Sequence, residues 1–202
     1  MKKALALLVI LMTVARAAYC SMPSLSMEAF TGWNFVESYH QNEFRVDMKP
    51  GYMAGMNVAY KPSRLFKTEL EVAYRNNSYD KVKMPQHGYC KASGEIQHAT
   101  AIINALIEIP IDLYDIIPYC GIGLGQKMQL DRFQFSPVRS TDGELEYFPE
   151  YKSTKYGMVM QGIVGFKSII VDGYQAGMQY RYLDGHHMDV NHTFGFNVSK
   201  LF

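Results

Sequence analysis

The chain closes on the segment His192-Thr-Phe-Gly-Phe-Asn-Val-Ser-Lys-Leu-Phe202, which alternates apolar and polar side chains. In an extended strand, one face carries the apolar side chains Phe194, Phe196 and Val198. The opposite face carries Asn197, Ser199 and Leu201. A soluble strand with one buried face alternates in the same way, so this pattern alone leaves a soluble β protein open. The segment ends on an aromatic residue inside the strand, whereas the ends of soluble domains usually fray in polar sequence.

Working back from that segment, seven more stretches have strand-like composition or alternation. They cover 29–39, 51–60, 66–75, 99–109, 118–126, 156–166 and 174–183. The third is the clearest, because Phe66, Leu70 and Val72 share one face while Lys67 and Glu69 share the other. The fourth is apolar enough to resemble a helix, but its β-branched isoleucines favour a strand.

The fifth stretch is rich in glycine, with Gly121, Gly123 and Gly125 on one face. A glycine-rich phosphate loop needs a helix directly after it, and a polar segment over 129–153 follows here instead. The pattern therefore does not indicate nucleotide binding. Glycines on one face of a strand allow a small barrel to bend and leave room for large interior neighbours.

The connections between the eight predicted strands alternate between short and long. The long ones are about 40–50, 76–98, 128–153 and 183–190, and we expect these to be extracellular loops. No stretch beyond the N-terminus reaches the ~18 apolar residues of a membrane helix, and bilayers admit only helices or closed barrels. The pattern predicts an all-β fold, an eight-stranded antiparallel up-and-down transmembrane β-barrel with both termini periplasmic.

The N-terminus predicts export. A basic start precedes the apolar run Ala4 to Ala15, and Ala15-Arg16-Ala17 has the form of a cleavage site. We expect a signal peptide over 1–17 and one barrel domain over 18–202. The formal net charge of +1 gives no electrostatic reason to expect nucleic acid as a partner. The three cysteines do not form a disulfide framework, since Cys90 and Cys120 fall at opposite ends of the predicted barrel.

Four motifs carry a resemblance to a known family. They are Phe66-Lys-Thr-Glu-Leu-Glu-Val-Ala-Tyr-Arg75, Ile117-Pro-Tyr-Cys-Gly-Ile-Gly-Leu-Gly125, Gln161-Gly-Ile-Val-Gly165 and Tyr180-Arg-Tyr-Leu-Asp-Gly185. In this order they resemble the small outer-membrane barrels that include opacity-type and major-surface-protein antigens. Met160, Cys120 and Lys200 depart from that family's pattern. The resemblance implies a surface antigen or adhesin in the outer membrane of a Gram-negative bacterium, sometimes with weak pore activity and without catalytic residues.

The polar faces of the predicted strands converge on the barrel interior. There we expect a structural network of Lys67, Glu69, Glu71, Arg75, Asn104, Glu108, Lys127, Gln161 and Arg181. An eight-stranded barrel has an interior that side chains fill, so the paired carboxylates Glu69 and Glu71 indicate a charge-compensated plug rather than acid–base catalysis. Lys67 and Glu108, on adjacent strands, are candidates for direct pairing.

Other functions stay open as alternatives. An outer-membrane hydrolase would draw on His186, His187, Asp189 and His192, but no nucleophile motif accompanies them. A lipocalin-like binder would need apolar residues inside, which is the reverse of this pattern. A diffusion porin usually has more strands, but a small weak channel stays open as the first alternative. We expect no cofactor and no metal. The expected partners are outer-membrane lipid and a host-surface or extracellular molecule contacted by the loops.

Overall fold

The computed structural model describes residues 24–37, 39–41, 44–84, 88–109, 116–135, 138–139, 145–146, 150–185 and 188–202. The predicted signal peptide at 1–17, and also Ser38, His186 and His187, lie outside these residues. None of the described residues belongs to a helix long and apolar enough to cross a membrane.

Eight long strands form the wall of a closed barrel. They are β1 (Ser24–Val36), β4 (Gly51–Lys61), β5 (Phe66–Met84), β6 (Gly88–Glu108), β7 (Ile116–Phe135), β10 (Tyr151–Val171), β11 (Tyr174–Gly185) and β12 (Met188–Leu201). Four short strands lie in the connections: β2 (Tyr39–Gln41), β3 (Phe44–Met48), β8 (Val138–Arg139) and β9 (Leu145–Glu146).

Every barrel strand pairs antiparallel with its neighbour in sequence, and β12 closes the barrel against β1. The pairing is staggered around the wall. From Val164 it runs through Tyr180, Phe194, Trp33, Tyr52, Asn76, Gln97 and Leu130 to Thr154, ten residues away on β10 (164 minus 154). Such a stagger tilts the strands against the barrel axis. The predicted all-β, eight-stranded antiparallel up-and-down barrel is confirmed.

The predicted faces of the strands are also those of the structure. The outward face is apolar: Leu70 is 59%, Ile103 66% and Ile122 74% exposed, although all three are large hydrophobic side chains. Lys200 lies on the outer face of β12, with its Nζ 5.5 Å from the ring centre of Tyr174 and 5.2 Å from that of Phe202. These cation–π contacts explain how an aromatic surface accommodates a lysine near its rim.

The strands extend much further than predicted at the end of the barrel with the long connections. Most of the segments 76–98 and 128–153, predicted as loops, are strand: β5 runs to Met84, β6 begins at Gly88, and β7 runs to Phe135. A small apolar cluster stabilises this extension on its inner side, with Val46, Tyr79 and Ile96 buried and Met48 and Phe133 packed against them. Within 40–50 and 183–190, too, the structure contains strand residues.

At the opposite end two described connections are tight. β4 and β5 are joined through Pro62 to Leu65, and β10 and β11 through Asp172 and Gly173. Gly173 has a φ of 79°, a left-handed conformation that glycine adopts without steric cost. Cys120 is a free, exposed cysteine on the outer face.

Candidate functional site

The inward faces of the eight strands fill the lumen mostly with polar side chains, among which small apolar clusters such as Ile102, Val159 and Leu183 are also buried. All nine residues of the predicted network lie there, none more than 5% exposed: Lys67, Glu69, Glu71, Arg75, Asn104, Glu108, Lys127, Gln161 and Arg181. The glycines of β7 make room for them. A Cβ on Gly123 would lie 2.0 Å from Oδ1 of Asn104 and 2.8 Å from Cγ2 of Ile102. Gly123 therefore allows the Asn104 amide to lie against the barrel wall.

Glu71 lies at the centre of a group of polar side chains halfway along the lumen, which we call the middle layer. Its carboxylate forms an ion pair with Arg181 and accepts hydrogen bonds from Asn104 Nδ2 (2.8 Å) and Gln161 Nε2 (3.0 Å). Arg75 donates to Thr100 Oγ1 (3.0 Å) and to Gln161 Oε1 (3.4 Å). These side chains come from β5, β6, β10 and β11, so the middle layer links opposite walls of the barrel.

A second cluster lies near the short connections and is built around Glu108. Lys167 Nζ lies 2.5 Å and Lys67 Nζ 3.9 Å from its Oε1, and Lys61 pairs with its Oε2. The predicted Lys67–Glu108 pair is therefore present, but Lys67 lies closer to Glu69 (2.5 Å) and to Glu28 (3.6 Å).

Glu28 and Lys61 are members of this cluster that the sequence analysis missed. Glu28 precedes the predicted start of the first strand at Ala29, and Lys61 lies at the beginning of a turn. Glu28 and Asn34 are an even number of residues apart on β1 and therefore face the same side of the strand. A predicted strand that started before Ala29 would have identified Glu28 as inward-facing.

A third cluster occupies the end of the lumen near the long connections. Lys127 Nζ donates to the backbone oxygen of Asp189 (3.1 Å), and Lys155 Nζ lies 3.5 Å from Asp131. His98 is fully buried, with its Nε2 3.9 Å from Asp189 Oδ2. Lys127 belongs to the predicted network, and its hydrogen bond to Asp189 places it in this third cluster. His98, Asp131 and Asp189 were not placed in the lumen because they lie in segments predicted as loops, and Lys155 lies just before the predicted strand 156–166.

The lumen is close to charge balance. Among the residues that the structure describes, five buried cations, Lys67, Arg75, Lys127, Lys167 and Arg181, face six buried carboxylates, Glu28, Glu69, Glu71, Glu108, Asp131 and Asp189. Two partly exposed lysines, Lys61 and Lys155, add positive charge at the two ends. Because a buried charge without a partner is costly, this arrangement fits a structural network that holds the wall together.

The histidine-rich group considered for a hydrolase does not come together among the described residues. Asp189 is buried in the lumen, whereas His192 has the opposite parity on β12 and lies on the outer face. There His192 contacts Tyr180 and Glu37 instead. Among the described residues, no group of three or more His, Cys, Asp or Glu side chains has a geometry that could hold a metal ion.

Comparison with known proteins gives the fold and no closer assignment. No family model matches the chain, and no curated protein matches it. Among solved structures, it is similar to Neisserial surface protein A, with 11% identity and a TM-score of 0.53 over 89% of this chain and 99% of that one. It is likewise similar to the outer membrane protein OprG from Pseudomonas aeruginosa, with 14% identity and a TM-score of 0.53 over 86% and 95% of the two chains. At these identities the likeness concerns the barrel fold.

Proposed function

We propose that the chain is an outer-membrane surface protein of a Gram-negative bacterium, and that its barrel is a closed scaffold for display, adhesion or antigenic interaction. The main support for this proposal is that the outward side chains of the barrel wall are apolar and the inward ones are mostly polar. In water, the exposed Leu70, Ile103 and Ile122 would belong to an apolar surface far larger than soluble monomers tolerate. In a bilayer the same surface is solvated by lipid.

The contents of the lumen support a scaffold rather than a channel. The ion pair between Glu71 and Arg181 lies across the middle of the barrel, with Asn104 and Gln161 bonded to the same carboxylate. Water-filled barrels generally have more strands and a wider interior. We assign no catalytic role to the lumen carboxylates, because ion pairs and amide donors engage them.

The extended strands at the long-connection end support a role in display. β5, β6, β7 and β10 reach beyond the outward apolar surface, and β3 pairs with the outer part of β5 at Arg45, Val46 and Asp47. Hydrogen-bonded strands hold the long connections on a rigid base, which suits recognition of an extracellular or host-surface partner by those connections. This proposal agrees with the resemblance to opacity-type and major-surface-protein antigens.

Topology on intact cells tests the proposal. In a background with Cys20, Cys90 and Cys120 replaced, the variants Ser93→Cys and Asp172→Cys place one exposed thiol at each end of the barrel. We expect a membrane-impermeant maleimide to label the Ser93→Cys variant on intact cells and the Asp172→Cys variant only after lysis. Labelling of the Asp172→Cys variant alone on intact cells would invert the topology. Recovery of a folded monomer without detergent or lipid would exclude the membrane placement.

A further inference from the structure

Three side chains form a hydrogen-bonded series on the outer face, near the long-connection end. The Tyr180 hydroxyl lies 2.6 Å from His192 Nδ1, and His192 Nε2 lies 2.7 Å from Glu37 Oε1. A carboxylate only accepts hydrogen bonds, so Nε2 carries a hydrogen; in the neutral ring, Nδ1 then accepts from the Tyr180 hydroxyl. The polar atoms that remain available are therefore acceptors: the Tyr180 oxygen and the second oxygen of Glu37, whose side chain is 58% exposed.

An apolar groove of about 390 Å³ adjoins this series and includes Tyr180 in its wall. By strand register, one row of outward side chains is Phe166, Met178 and Phe196, and the next row is Val164, Tyr180 and Phe194. The stagger of the barrel makes these rows rise from β10 towards β1, so the end of the groove at Trp33 is nearer the long connections.

The surroundings of the polar series are acidic and aromatic. Asp184 is exposed on the outer face of β11, and both Asp184 and Glu37 are close enough to Tyr182 to interact with it electrostatically. The rings of Tyr182 and His192 meet edge to face at 5.4 Å. Carboxylates beside aromatic rings favour an ammonium group, which gains both ionic and cation–π attraction.

We propose that this surface binds one lipid of the adjacent leaflet whose headgroup carries a primary ammonium. Its acyl chain lies in the groove between the Phe166 and Val164 rows. Its ammonium donates a hydrogen bond to Glu37, beside His192 and Tyr182, at the end of the groove nearer the long connections. This inference rests on the membrane placement proposed above, which supplies the lipid.

Native mass spectrometry tests the proposed headgroup preference. The purified barrel is mixed in detergent with equal amounts of three lipids, and the lipids that stay bound after removal of the detergent are counted. The lipids share their acyl chains and differ in headgroup: phosphatidylethanolamine, its N-trimethylated analogue phosphatidylcholine, and phosphatidylglycerol. We expect bound ethanolamine lipid to exceed glycerol lipid at least about fivefold, because only the former offers an ammonium. It should also exceed the choline lipid, which has no N–H donor.

Two variants with matched controls separate the groove from the headgroup site. Glu37→Gln should bring the ethanolamine-to-glycerol ratio close to one, whereas Glu150→Gln at another exposed position should leave it unchanged. Val164→Trp fills the groove and should lower all three adducts, whereas Leu70→Trp on the opposite wall should not. An equal ratio in wild type, or a ratio insensitive to Glu37→Gln, overturns the headgroup assignment. Adducts insensitive to Val164→Trp overturn the groove assignment. Both results leave the membrane placement standing, since lipid still binds the outer face.

Discussion

Two buried carboxylates in the same lumen are held in different ways. In the middle layer, Glu71 is fully buried and is held by the guanidinium of Arg181 and the amides of Asn104 and Gln161. Near the short connections, Glu108 is held by the ammonium groups of three lysines, and the side chain of one of them, Lys61, is 23% exposed.

The difference concerns what each partner can do when the carboxylate is removed. Arg181 is pinned at the centre of the barrel, with its guanidinium 4.0 Å from the ring centre of Phe30, and it cannot reach water. A lysine near the end of the lumen can move its ammonium towards water, because its long flexible stem allows this. The side chains of the middle layer are thus held rigidly, whereas the lysines of the Glu108 cluster, nearer the short connections, can rearrange.

The largest expected effect follows from removing the central carboxylate. Glu71→Ala removes the nearest carboxylate from the buried Arg181, whose other carboxylate partner, Glu28, lies 4.0 Å away. Breaking a buried ion pair by removing one partner typically costs ~3–5 kcal/mol. We expect a clear fall in the temperature at which the folded band disappears from gels of partially heated samples. Glu71→Gln is the matched control and should fall less, since it keeps the side chain's shape and one acceptor oxygen. A thermally silent Glu71→Ala would mean that water already solvates the middle layer.

The pairing itself gives the next effect in size. Arg181→Met removes the cation that opposes Glu71, and the double variant with Glu71→Gln removes both charges together. Side chains in direct contact show coupling energies of ~0.5–3 kcal/mol, so the double variant should lose less stability than the two single losses added. Urea unfolding in lipid vesicles measures all three variants. Simple additivity would place Glu71 and Arg181 in separate environments.

The smallest effect is expected at the adaptable end. Glu108→Gln removes one charge but keeps the side chain's shape, and its lysine partners can turn towards water, so the loss should be about 1–2 kcal/mol. The same unfolding measurement compares it directly with Glu71→Gln. A larger loss at Glu108 than at Glu71 would reverse the assignment of the rigid layer.

The membrane-crossing part of the fold could be predicted because lipid imposes a strict period of two on it. Phe66, Leu70 and Val72 must face lipid, so Lys67, Glu69 and Glu71 must face the lumen, and one correct strand identifies a whole face. The extension beyond the apolar surface has no such constraint. Segments such as Asn76 to Met84 are polar on both faces for long stretches, and their pairing depends on neighbours far away in sequence.

The same reason explains which parts of the lumen escaped prediction. His98, Gln129, Asp131 and Asp189 lie on inward positions of strands whose outer ends were predicted as loops, so their parity was never assigned. The sequence also did not predict which lumen side chains pair with each other. The alternation along each strand places both Glu71 and Arg181 in the lumen, but only the stagger of the closed wall brings side chains of β5 and β11 to the same height.

The central claim is that side chains close the lumen, and conductance across a planar lipid bilayer tests it most directly. The purified wild-type barrel should give little or no steady current, because buried, hydrogen-bonded side chains around Glu71 and Arg181 occupy the middle of the lumen. Glu71→Ala should then show unstable, flickering openings as the plug loosens. A large, stable, ion-selective current through the wild-type barrel would contradict a closed lumen and would identify a channel instead.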